Sequence, residues 1–212
     1  MTDEAPVSDD RKRMTFPNPM LVVVSGPSGV GKSTIVAEMA RRHPQVIPIV
    51  TATTREQRDG EVHGVHYHFL GRDEFVALRD RGGLLEWAEV HENLYGTPVD
   101  QVRGILAAGR DAILTIDPQG ARQVRASVPD ALLVFVKPPS MDDLRARLVG
   151  RGSESAESLE RRRRDAERWM ADTRDYDHVV VNETDHPEEA AELIWDIIQS
   201  EARREPPRRP RV

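Results

Sequence analysis

The stretch LVVVSGPSGVGKST, residues Leu21–Thr34, decides the fold. Leu21–Val24 is wholly apolar and mostly β-branched, the composition of a strand buried on both faces of a parallel sheet. It runs directly into a Gly-rich turn that satisfies GxxxxGK[ST] from Gly26 to Ser33. Beyond Lys32, the residues Ile35, Val36, Met39 and Ala40 recur at helical spacing until Pro44 stops the pattern. The order is therefore strand, turn, helix, which is half of a βαβ unit. Gly26, Gly29 and Gly31 allow successive backbone N–H groups to face inward around a phosphate, aided by the positive end of the helix. Pro27, Ser28, Val30 and Thr34 complete the loop. Lys32 reaches the β- and γ-phosphates of a nucleoside triphosphate, and Ser33 offers its hydroxyl to Mg²⁺. An ion held largely by nucleotide phosphates needs no dedicated cage of protein ligands.

Around this stretch the chain has 212 residues, a size suited to one α/β core with inserted subdomains rather than several domains. No apolar run approaches the ~18 residues of a membrane span, so no membrane segment is expected. A net charge of -6 argues against a general nucleic-acid binder, whose footprint is a basic face. With no cysteine, disulfides and thiolate metal sites are excluded, and a reducing cytoplasm is the simplest setting. Met1–Pro19 lacks the apolar core of a secretory signal, so none is expected. Arginines crowd between Arg145 and Arg174; the planar guanidinium fork suits phosphate, although a solvated helix face explains any one of them equally well.

Three later apolar runs, Ala112–Ile116, Ala131–Val136 and Val179–Val181, read as strands. Helical patterns lie around Ala121–Ser127, Met141–Val149, Ser158–Met170 and Glu188–Gln199. Their alternation predicts an α/β fold, a parallel sheet with helices on both faces. Thr51–Tyr95 breaks the alternation with strand-like pieces at His66–Leu70 and Leu84–Val90 and a helix at Asp73–Asp80, and reads as an inserted small α+β lobe. Gly150–Arg174 is highly charged, with too few apolar residues to pack deeply, and reads as a mobile lid. The expected division is a structureless tail over 1–19, one domain over 20–202 and a second structureless tail over 203–212, with the lobe at about 51–98 and the lid at about 145–174. A GTPase reading fails for want of an Asn-Lys-x-Asp segment: the only lysine after the loop is Lys137, followed by two prolines.

TATTREQRDGEVHGVHYHFL from Thr51 and LLEWAEVHENLYGTP from Leu84, taken with GPSGVGKST, resemble the guanylate kinase family. The resemblance extends from about Leu21 to Gln199 and implies the P-loop NTPase fold, ATP as phosphoryl donor, GMP and also dGMP as acceptor, and Mg²⁺ as cofactor, in a step of purine nucleotide metabolism. It implies that Arg55, Arg58, Tyr67 and Tyr95 clamp the phosphate of GMP, for which two guanidinium groups and two phenols supply many donors and no negative charge. Pairing of both arginines with Glu56, Asp59 or Glu61 is the alternative on spacing alone, and Glu61 among these cations would orient them. Glu86, in LLEWA, would read guanine: a carboxylate accepts from the N1–H and the exocyclic amine at once, and adenine offers neither donor on that edge. Thr97 would donate to guanine O6, with Gly96 beside it in YGT and Thr51 at a neighbouring family position.

In AILTIDPQGARQV the family pattern has two acidic residues flanking the isoleucine; here the first is Thr115, and Asp117 remains to contact guanylate and to hold Mg²⁺ through water. Altered GMP affinity, rather than a new base preference, is the expected consequence. In the lid, Arg147, Arg151 and Arg162 resemble the family's catalytic arginines and would swing over the triphosphate, Arg151 also stacking on adenine; Asn182 matches a family position near adenine. Because the acceptor is already an ionised phosphate, alignment and charge neutralisation by Lys32, Arg55, the lid and Mg²⁺ suffice. Two other readings remain: a catalytically dead scaffold of the same fold, which would carry an eroded phosphate loop, and a P-loop kinase of ribose bisphosphates, which would not need Glu86 or the tyrosine of YGT. Monomer and homo-oligomer are equally compatible with the sequence.

Overall fold

The computed structural model describes residues 18–90, 92–149, 156–183 and 186–212. The chain opens with β1 (Leu21–Ser25), α1 (Lys32–Arg42) and β2 (Val46–Pro48). It then traverses β3 (Ala52–Thr53), β4 (His68–Phe69), α2 (Arg72–Asp80), β5 (Leu84–Val90) and β6 (Asn93–Pro98). From α3 (Val99–Ala107) it returns through β7 (Asp111–Ile116), α4 (Pro118–Ser127), β8 (Leu132–Lys137), α5 (Met141–Val149), α6 (Ala156–Ala171), β9 (His178–Val181) and α7 (Pro187–Ala202).

The main sheet has the order β2-β7-β1-β8-β9, and every pairing in it is parallel. β1 lies at its centre. Successive side chains of a strand point to opposite faces. Val22 and Val24 accordingly join Ile35 and Met39 of α1 and Ile194 of α7 on one face. Leu21 and Val23 join Val102 of α3 and Val124 of α4 on the other. Both faces being covered, the strand must be apolar throughout, and Leu21–Val24 have no exposed surface. Each such aliphatic side chain contributes roughly 1.5–3 kcal/mol by leaving water. Ligands of open parallel sheets bind at the carboxyl ends of the strands; here those ends carry the loop after β1 and Asp117 after β7.

The inserted lobe is a mixed sheet in the order β4-β3-β6-β5. Its own core is small, built from Ala52, Phe75 and Leu94 with Leu70 and Leu84 beside them, so its placement depends on its two chain connections and on α4, which packs against β5. β5 and α5 have the bounds read from the sequence, whereas the strand expected over His66–Leu70 shortens to β4 and the short β2, β3 and α3 had no sequence reading.

Two expectations need correction. Gly150–Arg174 was expected to pack shallowly, yet Ala166 of α6 has no exposed surface and sits in the core cluster with Leu144 and Leu148 of α5; a side chain as small as a methyl group lets the helix approach closely. Residues 203–212, expected to be structureless, dock on the body. Arg208 is 8% exposed, donates from Nε to Glu201 at 2.7 Å and from Nη1 to the Ala131 carbonyl at 3.1 Å, and lies 3.2 Å from Asp177. Arg103 Nε donates to the Val212 carbonyl at 3.0 Å. The N-terminal stretch through residue 17 lies outside the described residues, while Met20 is already buried.

Candidate active site

The phosphate loop holds its shape through backbone that only glycine adopts easily. Gly26 has φ 147° and Gly31 has φ 100°. A Cβ at Gly26 would run into the Val136 carbonyl, and one at Gly31 into the Asn182 carboxamide. Gly31 is also the residue before α1, so the loop's closing N–H groups stand at that helix's positive end. Lys32 Nζ folds onto the loop, donating to the Gly26 and Pro27 carbonyls at 2.7 and 2.9 Å.

The Val30 carbonyl is gripped from two sides, by Asn182 Nδ2 at 2.8 Å and Arg147 Nη1 at 3.1 Å, and Arg147 Nη2 also donates to the Asn182 carbonyl at 3.0 Å. Two expectations shift here. Asn182, assigned near adenine, is 4% exposed and braces the loop; Arg147, assigned over the triphosphate, is directed in this structure at loop backbone. Arg162 Nη1 donates to Ser28 Oγ at 3.0 Å, so α6 does bring a lid arginine to the loop. Arg151 lies outside the described residues.

Beside the loop opens a cleft of about 380 Å³ shared by core, lid and lobe. Ser28, Arg162, Thr115 and Asp117 line it from the core and lid. From the lobe come Thr51, Arg55, Arg58 and Glu61, then Tyr67, Glu86 and Tyr95. Arg55 is oriented as the alternative pairing had it: Nη2 donates to Glu61 at 2.7 and 3.0 Å, and its guanidinium lies 5.5 Å from the Tyr67 ring centre and 5.7 Å from that of Phe69. Glu61 also accepts from the Arg58 backbone N–H at 2.9 Å. The hydrogen bond from Arg55, reinforced by that backbone donor, holds the Glu61 carboxyl below the usual carboxylate range. Burial pushes the Tyr67 phenol up, so it remains a donor.

Glu86 is 5% exposed, and burial drives its carboxyl up to about 7, with the Asp117 charge adding to the rise and the Thr97 hydroxyl opposing it. Thr97 Oγ1 donates to Glu86 Oε1 at 2.6 Å. Thr97 has no exposed surface and does not line the cleft. In this structure its hydroxyl, expected to meet guanine O6, is directed at the Glu86 carboxyl. Gly96 is likewise buried behind the wall, where a Cβ would meet the Glu86 carbonyl at 3.0 Å. Asp117 caps α4, accepting from the Gly120 N–H at 2.9 Å ahead of Pro118 in the first turn.

Sequence reasoning missed Ala88 and Val90 on the cleft wall. They follow Glu86 at alternate positions of β5, and the period of two was the signal that would have found them. It also missed Tyr176, whose hydroxyl lies 3.0 Å from Ser25 Oγ directly before the loop; burial raises this phenol to about 12.

The sequence model described as guanylate kinase matches residues 18–201. The chain is 52% identical over 176 residues to a guanylate kinase of Streptomyces coelicolor, covering 83% of this chain and 89% of that protein. To a guanylate kinase of Thermobifida fusca it is 49% identical over 179 residues, covering 84% and 88%. Among solved structures it resembles guanylate kinase from Anaplasma phagocytophilum, with a TM-score of 0.70 and 30% identity over 88% of each chain. A glycine-built phosphate loop facing a lobe with a buried carboxylate, and likeness of this extent, lead to one statement: the chain belongs to the guanylate kinase family.

Proposed function

We infer that this protein transfers the γ-phosphoryl group of ATP to GMP, giving ADP and GDP. The observation that carries the inference is one cleft lined at once by a buried carboxylate, by the guanidinium and phenol groups of the lobe, and by groups of the phosphate loop and lid. A nucleoside monophosphate presents the matching pair of functions, a base and a dianionic phosphate. Glu86 accepts from the N1–H and the exocyclic amine of guanine; AMP offers no N1–H and sets the N1 lone pair against the buried carboxylate, and is rejected on that ground. Arg55 and Arg58 with Tyr67 and Tyr95 take the acceptor phosphate, and Glu61 presets Arg55 for it. dGMP, which carries the same base and phosphate, is the expected second acceptor.

Lys32 and the loop N–H groups hold the donor phosphates, and Arg162, already on Ser28, stabilises charge on the group in flight. No side chain needs to remove a proton, because the attacking oxygen is already ionised. Closing α5 and α6 over the loop excludes water as a competing acceptor. The residues present fit a divalent cation: Ser33 lies in the first turn of α1, and Asp117 follows Ile116, which pairs with Ser25 at the mouth of the loop. One Asp117 oxygen is committed to Gly120, leaving the other for an ion-bound water. Bound there, Mg²⁺ would neutralise phosphate charge. Among the described residues no helix is long and apolar enough to cross a membrane, and ATP and GMP are metabolites of the cytoplasm, where this reading locates the enzyme.

The test is an ADP-release assay with ATP, Mg²⁺ and each nucleoside monophosphate in turn. GMP and dGMP support turnover, and AMP, CMP and UMP fall short by about 10²-fold or more. Binding of ATP with no phosphorylation of any monophosphate would overturn the reading.

A further inference from the structure

β5 is an edge strand of the lobe's sheet, and its ladder with β6 shifts register between Leu84 and Trp87. Glu86 therefore sits at an irregularity, where regular pairing does not fix the backbone. Across the open edge lies α4. The carboxamide of Gln123 takes both main-chain groups of Trp87, accepting from its N–H at 3.2 Å and donating to its carbonyl at 2.8 Å. In effect the side chain supplies one rung of a further strand, which satisfies the edge beside Glu86.

One turn earlier on the same face of α4 is Gly120. A Cβ there would stand 2.7 Å from Glu86 Oε2 and 3.4 Å from its carboxyl carbon. The Gly120 N–H is tied to Asp117, so this turn of the helix is itself held in place. α4 thus meets Glu86 twice, through a surface cut away for the carboxylate and through an amide that clips the adjoining backbone.

We propose that Gln123 is a positioning residue for guanine recognition: by clamping Trp87 to α4 it fixes Glu86 at the depth and angle at which its two oxygens meet the base. The inference rests on the reading of Glu86 as the group that contacts guanine. Gln123 touches no substrate, and its effect falls on the acceptor side of the reaction. ATP is held by the phosphate loop after β1, not by β5, and its binding does not depend on Gln123.

The experiment measures kcat and KM for GMP, IMP and ATP in the wild type, Gln123→Ala, Glu86→Gln and the double variant. IMP keeps N1–H and lacks the exocyclic amine, so it reports how well Glu86 is aimed. Gln123→Ala raises KM for GMP by about 5- to 20-fold, the scale of losing ordinary hydrogen bonds, and lowers the preference for GMP over IMP in proportion. KM for ATP and kcat at saturation stay within about twofold. Added to Glu86→Gln, it costs less than about twofold more, since residues acting through one group are not additive. If Glu86→Gln abolishes base preference while Gln123→Ala leaves KM and preference unchanged, the positioning role is overturned and the reading of Glu86 stands. If Glu86→Gln leaves the preference intact, the reading of Glu86 fails and this inference with it. A loss spread evenly over GMP, IMP and ATP, and additive in the double variant, marks general scaffolding and also overturns the proposal. Should Gln123→Ala fail to fold, Gln123→Glu, which keeps the acceptor for the Trp87 N–H and loses the donor, gives the same readouts.

Discussion

Glu86→Gln preserves the shape of a buried side chain and removes its charge, so it separates what Glu86 does for GMP from what it costs the fold. A carboxylate accepts two N–H bonds from guanine; the amide accepts one and turns its own N–H toward the other. Losing a charge-assisted bond and opposing two donors together amount to about 3–5 kcal/mol, or roughly 10²- to nearly 10⁴-fold in kcat/KM for GMP. Stability moves the opposite way. Folding raises this carboxyl from 4.5 to about 7, so the folded state retains a proton that the unfolded chain releases. The destabilisation is absent below about pH 4.5, grows as pH rises and is complete above about 7. At about 1.4 kcal/mol per pH unit this reaches roughly 3 kcal/mol, or some 6–12 °C in Tm for a chain of this size. Thermal unfolding at pH 5 and pH 8, alongside kinetics at pH 8, measures both effects. The variant should show that loss in kcat/KM for GMP, be more stable than wild type at pH 8 and be nearly equal to it at pH 5. A variant with that loss of activity and no gain at pH 8 would refute the argument that burial of this carboxylate costs stability.

Arg162→Ala removes the lid guanidinium that reaches Ser28; kcat should drop by about 10³-fold with KM for GMP little changed, and a drop under tenfold in single-turnover kinetics rejects the role. Arg208→Ala leaves Asp177 and Glu201 without their shared cation. Burial alone would raise both carboxyls, but hydrogen bonds from Leu133 and Arg125 to Asp177, and from Arg208 and His178 to Glu201, hold them below the usual range. The stabilisation is therefore present above the ordinary carboxylate pKa and lost as pH falls through the lowered values. Because both carboxylates keep some exposure, the expected loss is about 2–3 kcal/mol at pH 7, seen as a lower urea midpoint that converges on wild type once pH falls below those lowered values. An unchanged midpoint at pH 7 would show that the C-terminal segment adds nothing to the fold.

What could be read along the chain was what neighbouring residues settle among themselves. Leu21–Thr34 needs no distant partner to be recognised, because an apolar run, a glycine pattern and a helical period are local, and the bounds of β5 and α5 follow from local periodicity in the same way. The chemistry of Glu86 as an acceptor is equally local. Its burial is not: that comes from Thr97 eleven residues on and from α4, whose Gly120 and Gln123 occupy ordinary positions on a polar helix until β5 is laid across them. Thr97 looked like a base contact because its hydroxyl suits guanine, and only packing turns that hydroxyl to Glu86. PPRRPRV looked structureless because it has no periodicity; what holds it is one buried arginine meeting carboxylates from β9's approach and from α7. Sequence by itself determined most of the longer elements, the phosphate loop and the types of group suited to a nucleotide, since each depends on steric and chemical rules acting over a few residues. Tertiary structure alone decided which of those groups reach the cleft and which stand behind it holding another in place, because a hydrogen bond is fixed by distances of a few ångströms between residues that the chain separates by tens of positions.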